Sequence, residues 1–240
     1  ALPGGCAIGT RPVNFHLDAL KKMGAKIKLK NGYIEATSKK LHGADIRFEG
    51  VTVTGTENLM MAATLAEGTS RLTNVAKEPE IIDLADMLNS MGAKIKGAGS
   101  DEIIIEGVSN LKGTVYDIPA DRIEAGTYLV AAAVTNGDIT VDGINPERLM
   151  TVINKLENTG AKLSYDKRSI SISMKKSIPE PVDITTAPFP EFPTDMQAQF
   201  SVINAISRGV SNIYETVFEN RFMHILELNR MGCDIEVKGN

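Results

Sequence analysis

An α/β fold built from a repeated unit of βαβαββ order is what this sequence predicts, and three observations carry the prediction. A glycine phrase recurs as "KKMGAKIKL" with Gly24, "NSMGAKIKG" with Gly92, "ENTGAKLSY" with Gly160 and "NRMGCDIEV" with Gly232, at intervals of 68, 68 and 72 residues. A second phrase keeps the same beat, with Gly68 in "AATLAEGTSRLTNV", Gly137 in "AAAVTNGDITVDG" and Gly209 in "INAISRGVSNIYETV", at intervals of 69 and 72. Within each period the apolar spacing switches between helical and strand type. Repeats of about 70 residues are too long for solenoid units of about 20–50, so they are expected to assemble into pseudo-symmetric domains.

The elements follow in order. Val13 to Met23 reads as a helix and is followed by a hairpin. Asn58 to Ala66, "NLMMAATLA", is an apolar helix, and Gly68 suits the left-handed turn that ends one. Ser70 to Val75 is a short strand. Glu80 to Ser90 places Ile81, Leu84, Ala85 and Leu88 at the i, i+3, i+4, i+7 spacing of an amphipathic helix. Pro79 stands in its first turn, where no N–H is needed, and Pro12 and Pro146 occupy the same place in their repeats, with Asn145 a natural cap ahead of Pro146. Lys94 to Lys96 and Ile103 to Glu106 form a hairpin around "GAGSDE". The first helix of each unit, such as "YLVAAAV" from Tyr128, is apolar nearly all round and is expected to be buried on every side. The second helices are one-faced, so the sheets are expected outermost. Residues 1–40 hold no first helix, and the last unit runs to one hairpin strand in "CDIEVKGN", so the repeat is expected to be incomplete at both ends.

Composition narrows the function. The chain has 240 residues and a net charge of −4, which argues against a general nucleic-acid binder. No run of about 18 apolar residues is present, so no membrane span is expected. Nothing resembles a basic region followed by an apolar signal core. Cys6 and Cys233 make no disulfide framework, so the protein is expected to be cytoplasmic with reduced thiols. His16, His42 and His224 are scattered without metal-ligand spacing, and no metal is expected.

Four segments depart from the repeat. The loop "PGGCAIGTRPV" holds Cys6 in a glycine-rich stretch: either a linker with an incidental thiol, or a reactive thiol beside Arg11 and a helix start that favours thiolate and anions. In "TAPFPEFPTDMQAQF", residues 186–200, three prolines stiffen the approach to a helix that begins at Asp195. That carboxylate is either a helix cap or a general base. In "ETVFENRFMH", residues 215–224, Arg221 is either a solvated arginine or an anion clamp. "DRIEAG", from Asp121, reads as a cap and ion pair.

Taken together, "PGGCAIGTRPV", "FPTDMQAQF" and "ETVFENRFMH" closely resemble the enolpyruvyl transferases, and specifically those that act on UDP-N-acetylglucosamine. "AATLAEGTSRLTNVAKEPEIIDLA" and "DRIEAGTYLVAAA" match as well, so the resemblance covers essentially the whole chain. It implies two domains, each an inside-out α/β barrel, with a crossover near residue 119: residues 1–119 carry the cysteine loop and 120–240 carry Asp195. It also implies the chemistry: addition of the enolpyruvyl group of phosphoenolpyruvate to the 3′-hydroxyl of the sugar nucleotide, then elimination of phosphate, without a cofactor. Such a step opens peptidoglycan synthesis, and with it cell shape and division.

By the same resemblance Cys6 is the proton donor, the residue that forms the covalent phospholactoyl adduct and the target of epoxides of the fosfomycin type. Asp195 is the base at the 3′-hydroxyl, and Arg11 contacts the anionic groups of both substrates. Arg11, Pro12, Val13, Asn14 and Phe15 line the nucleotide site, Thr52, Val53 and Thr54 meet the diphosphate or uridine through their backbone, and Val217 meets the sugar. Gly50 in "GVTVTG" stands where some members carry a lysine. The family's N-terminal Lys-Asn pair, an arginine upstream of the cysteine, and the C-terminal arginines that hold phosphoenolpyruvate have no counterpart in these 240 residues. Two alternatives remain: a 5-enolpyruvylshikimate-3-phosphate synthase-like transferase, which lacks the "GGC" loop, and a non-catalytic binding paralogue, which would be expected to lose Cys6 or Asp195.

Overall fold

The computed structural model describes residues 13–175 and 178–239, which divide into two compact units at Ile118/Pro119. The first unit opens with α1 (Asn14–Lys22) and the hairpin β1 (Lys26–Lys30) and β2 (Tyr33–Thr37). Asn31 and Gly32 join the two strands with φ of 51° and 76°, the left-handed pair that a tight hairpin turn requires. A full repeat follows: β3 (Asp45–Arg47), α2 (Val53–Thr64), β4 (Thr69–Thr73), α3 (Pro79–Ser90), β5 (Lys94–Lys96) and β6 (Glu102–Glu106). Its sheet has the order β3-β4-β6-β5, with β3 and β4 parallel and the other pairs antiparallel. Alternation along the strands puts Ile46, Leu72, Ile95, Ile103 and Ile105 into one core with Leu59 and Met60 of α2 and Ile81 of α3. Each such side chain is worth about 1.5–3 kcal/mol on burial.

The second unit contains α4 (Arg122–Val134), β7 (Asp138–Asp142), α5 (Met150–Asn158), β8 (Lys162–Tyr165) and β9 (Ser169–Ser173), with the sheet order β7-β9-β8. The unit continues with β10 (Ile184–Thr185), α6 (Gln197–Ile206), β11 (Ile213–Tyr214) and α7 (Met223–Arg230), and β10 pairs with β11 in parallel. Its core joins Leu129, Ile153, Ile170, Ile172, Phe200 and Ile203. Among the described residues no helix is long and apolar enough to cross a membrane.

The repeat is visible in backbone detail. Gly24, Gly92, Gly160 and Gly232 all have φ between 88° and 101° directly after a second-type helix, which is why the phrase keeps its glycine. Asn89 donates to the Ile95 carbonyl and accepts from the Ile95 N–H, and Asn229 does the same with Ile235. Pro79 begins α3, and Asn145 caps the short 3₁₀ turn Pro146–Arg148 through the Glu147 N–H.

Three expectations are corrected. The first-type helices are not buried on every side within their units. Helix α2 exposes Thr54, Asn58, Met61 and Leu65 on one stripe, with Met61 48% and Leu65 49% exposed, because its neighbours α1, α3 and the sheet cover only the other faces. The segment 233–239 is not a strand: it is tied to α7 through Asn229, but no partner strand lies beside it among the described residues. Residues 107–120 likewise form no strand ahead of α4, so the second repeat begins at its helix.

Candidate active site

The second unit builds its site on the turn that precedes α6. Phe192 is buried edge-on against Phe200, with ring centroids 5.0 Å apart, and this anchors the proline-rich segment to the helix it feeds. Thr194–Met196 then form a 3₁₀ turn, closed by the Met196 N–H on the Pro193 carbonyl. Met196 is fully buried against Gly126 of α4, where a Cβ would lie 3.0 Å from its thioether. Asp195 is therefore held between an anchored Thr194 and an immobile Met196. Its side chain stays 58% exposed.

Arg221 reaches this turn from the segment after β11. Its Nη2 donates to Asp195 Oδ1 at 2.7 Å and its Nη1 donates to Thr194 Oγ1 at 3.2 Å. The guanidinium lies over the Phe218 ring, 5.4 Å from its centroid, and is only 17% exposed. The solvated reading of Arg221 is thereby replaced by a fork held at two points. Sequence reasoning passed over Glu215, a buried carboxylate bonded to Thr186, Thr194 and the N–H groups of Val217 and Phe218. Asp195, Arg221 and Val217 are thus brought together by one hydrogen-bonded network. His224, one turn beyond Arg221, shares a hydrogen bond with Ser201 at 3.2 Å. Burial, and then the charge of Arg221, push its pKa below the ordinary histidine value.

Asp121 is a cap: it accepts from the N–H groups of Ile123 and Glu124 at the start of α4. The next residue, Arg122, is buried with its guanidinium 5.7 Å from the Phe189 ring centroid, so α4 also braces the loop that leads to Asp195.

The first unit carries the other candidates. Cys6, Arg11 and Pro12 lie outside the described residues. Val13 precedes α1, and Asn14 and Phe15 form its first turn. A Cβ at Gly50 would lie 3.7 Å from the Phe15 ring, so the first turn of α1 and the loop entering α2 adjoin. Thr52 caps α2 by accepting from the Gly55 N–H at 3.2 Å. Val53 and Thr54 open that helix, where backbone N–H groups lack intrahelical acceptors and suit an anion. A cavity of about 750 Å³ lies elsewhere, lined by Asn204, Tyr214, Phe222, Ile225 and Ile235; neither Asp195 nor Arg221 lines it.

Two units of one α/β repeat, the second presenting an acid–guanidinium pair at a helix start, define a repeat-built α/β protein. The chain belongs to the EPSP synthase (3-phosphoshikimate 1-carboxyvinyltransferase) family, whose family model matches residues 1–240. The UDP-N-acetylglucosamine 1-carboxyvinyltransferase of Hydrogenovibrio crunogenus (strain DSM 25203 / XCL-2) is 56% identical over 240 residues, all of this chain and 57% of that protein. The protein of the same name from Vesicomyosocius okutanii subsp. Calyptogena okutanii (strain HA) is 55% identical over the same shares. The chain thus spans 57% of the length of these curated relatives. The crystal structure of the enolpyruvyl transferase NikO from Streptomyces tendae superposes with a TM-score of 0.83 at 20% identity, over 96% of this chain and 57% of that one. An EPSP synthase from Acinetobacter baumannii gives 0.66 at 24% identity, over 99% of this chain and 59% of its own. These two likenesses establish the α/β fold of enolpyruvyl transferases for this chain.

Proposed function

We propose that these residues belong to an enzyme that transfers the enolpyruvyl group of phosphoenolpyruvate to the 3′-hydroxyl of UDP-N-acetylglucosamine. The observation that carries this reading is the 56% identity, across the whole chain, to a protein named UDP-N-acetylglucosamine 1-carboxyvinyltransferase. The geometry of the second unit supports it. Asp195 takes the proton of the 3′-hydroxyl as the oxygen attacks C2 of phosphoenolpyruvate, while the methylene carbon gains a proton from the Cys6 thiol. Elimination then removes a proton from that methyl carbon, breaks the C2–O bond to phosphate and releases inorganic phosphate. In the side path, the Cys6 thiol adds across the double bond, its sulfur bonding C2 while its proton goes to the methylene carbon, and gives the phospholactoyl adduct. Arg221 fixes the orientation of Asp195 at the moment of attack.

Arg11 meets the anionic groups of both substrates, and the first turn of α1, from Val13 through Phe15, lines the nucleotide with Pro12. The backbone of Thr52, Val53 and Thr54 meets the diphosphate or the uridine. Val217, held by Glu215 next to Asp195, contacts the sugar. On this reading the enzyme is cytoplasmic, needs no metal or cofactor, and commits sugar nucleotide to peptidoglycan, hence to cell shape and division. The deciding experiment is phosphate release by the full-length protein from phosphoenolpyruvate with UDP-N-acetylglucosamine, beside shikimate-3-phosphate as the competing acceptor. Turnover with shikimate-3-phosphate alone would support the EPSP synthase reading, and turnover with neither would support a binding module. The epoxide expectation is checked by mass spectrometry after fosfomycin treatment: the adduct belongs on Cys6, and an adduct on Cys233 would count against the thiol assignment.

A further inference from the structure

We propose that Glu215 and Thr194 are positioning residues for the Asp195–Arg221 pair; this rests on the carboxyvinyl transfer proposed above. Glu215 is 1% exposed, and its two oxygens are fully engaged. Oε1 accepts from Thr186 Oγ1 at 3.0 Å and from the N–H groups of Val217 and Phe218 at 2.8 and 3.0 Å. Oε2 accepts from Thr194 Oγ1 at 2.9 Å. Burying a carboxylate is costly unless it is fully hydrogen-bonded, and here all four donors come from three different segments. They are strand β10's exit, the turn that bears Asp195, and the turn that bears Val217.

The direction of the Thr194 bond is what reaches Asp195. A hydroxyl has one hydrogen to give. Glu215 takes it, so only lone pairs of Thr194 face the Arg221 Nη1, which donates to them at 3.2 Å. The second arm of the same planar guanidinium then falls on Asp195 Oδ1 at 2.7 Å. A rigid fork gripped by one prong is aimed at the other. The chain of bonds runs from Asp195 to Arg221 to Thr194 to Glu215; the guanidinium can only donate, and the buried carboxylate at the end takes the Thr194 hydrogen and so fixes which way that hydroxyl points. The same carboxylate holds the Val217 N–H, so the acid and the proposed sugar contact are referred to one fixed point.

Glu215→Gln keeps the shape but breaks the logic. With three donors facing Oε1, the amide oxygen must sit there, which turns the NH₂ toward Thr194. That hydroxyl then accepts from both sides and its own hydrogen has no acceptor. Thr194→Val removes the link with little change of volume, and Thr194→Ser keeps it. In the full-length enzyme, Glu215→Gln and Thr194→Val are expected to lower kcat about 10- to 100-fold, as a mispositioned group does. KM for UDP-N-acetylglucosamine is expected to stay within about threefold, and Thr194→Ser to restore kcat to within about threefold of the parent. A merely structural role would lower the melting temperature and leave the kcat of the folded enzyme, measured well below melting, unchanged; that result overturns the proposal. If Glu215→Gln does not fold, Thr194→Val decides.

A second readout needs no substrate. The Nη protons of Arg221, followed by ¹⁵N NMR, are expected as separate signals in the parent and as one averaged signal in Thr194→Val. If the parent releases no phosphate, the reaction reading fails by itself. The NMR result then decides the positioning role alone, and separate signals retained in Thr194→Val refute it.

Discussion

At the scale of single residues, the acid Asp195 was legible as a candidate because it follows a proline-stiffened segment and opens a helix. What the sequence could not reveal is that Arg221, 26 positions later, donates to it at 2.7 Å, or that Thr194 and Glu215 hold the arginine. Those contacts are tertiary and carry no local spacing signal. The pair makes a direct prediction. Asp195→Asn in the full-length protein keeps an oxygen for Arg221 but cannot take a proton. It is expected to lower kcat about 10²–10⁴-fold with nucleotide affinity retained, measured by steady-state phosphate release and by nucleotide titration; near-normal kcat would reduce Asp195 to a structural role. His224 supplies a pH prediction. Burial and the Arg221 charge hold its folded pKa below the ordinary value of about 6.5, so the folded chain binds fewer protons than the unfolded chain in between. Stability is then full above about pH 6.5, falls as pH drops below it, and stops falling beneath the folded pKa. His16 is shifted the same way by burial, so the comparison must be made against His224→Gln. On acidification the urea midpoint of the parent should fall relative to that of the variant, and parallel pH curves would remove His224 from the linkage.

At the scale of elements, sequence reading placed α3 and its proline, the hairpin after it, and the recurring glycine, because each is written locally. Helix α2 begins at Val53, five residues before the apolar run from Asn58, and Thr52 caps it. The polar start "TVTGTE" hides a helix whose first turn is stabilised by the cap rather than by apolar burial. The weak fourth sheet, with β10 and β11 of two residues each, was not assigned from the sequence, because strand formation depends on the partner offered more than on propensity. Asn89 marks the repeat in a way periodicity does not show: its amide both gives to and takes from Ile95, joining the end of α3 to β5. Asn89→Ala loses both bonds and leaves a partly buried N–H and carbonyl unpaired. It is expected to cost about 1–3 kcal/mol, read as a lower urea midpoint with unchanged slope. A loss no larger than that of a surface alanine substitution would show that solvent replaces the asparagine.

At the scale of the whole chain, the described residues form two cores that share no residue. One gathers Leu59, Leu72, Ile81, Ile103 and Ile105, and the other gathers Leu129, Ile153, Ile170, Phe200 and Ile203. A chain with two cores need not unfold in one step. Leu72 and Leu129 are both completely buried, one in each core. Leu→Ala at such a site costs about 2–5 kcal/mol, from lost transfer energy and the cavity left behind. If the cores melt as separate units, calorimetry of the 240-residue chain should give a heat-capacity trace of two transitions, with Leu72→Ala lowering one midpoint and Leu129→Ala the other. The same variants assign each transition to its unit without any label. A single transition lowered by both substitutions, with calorimetric and van't Hoff enthalpies equal, would mean that the two cores are coupled into one cooperative body. The Asp195 turn would then be sensitive to packing in the unit that carries Val13–Phe15 and Thr52–Thr54, and Leu72→Ala would destabilise the acid's surroundings as strongly as Leu129→Ala does.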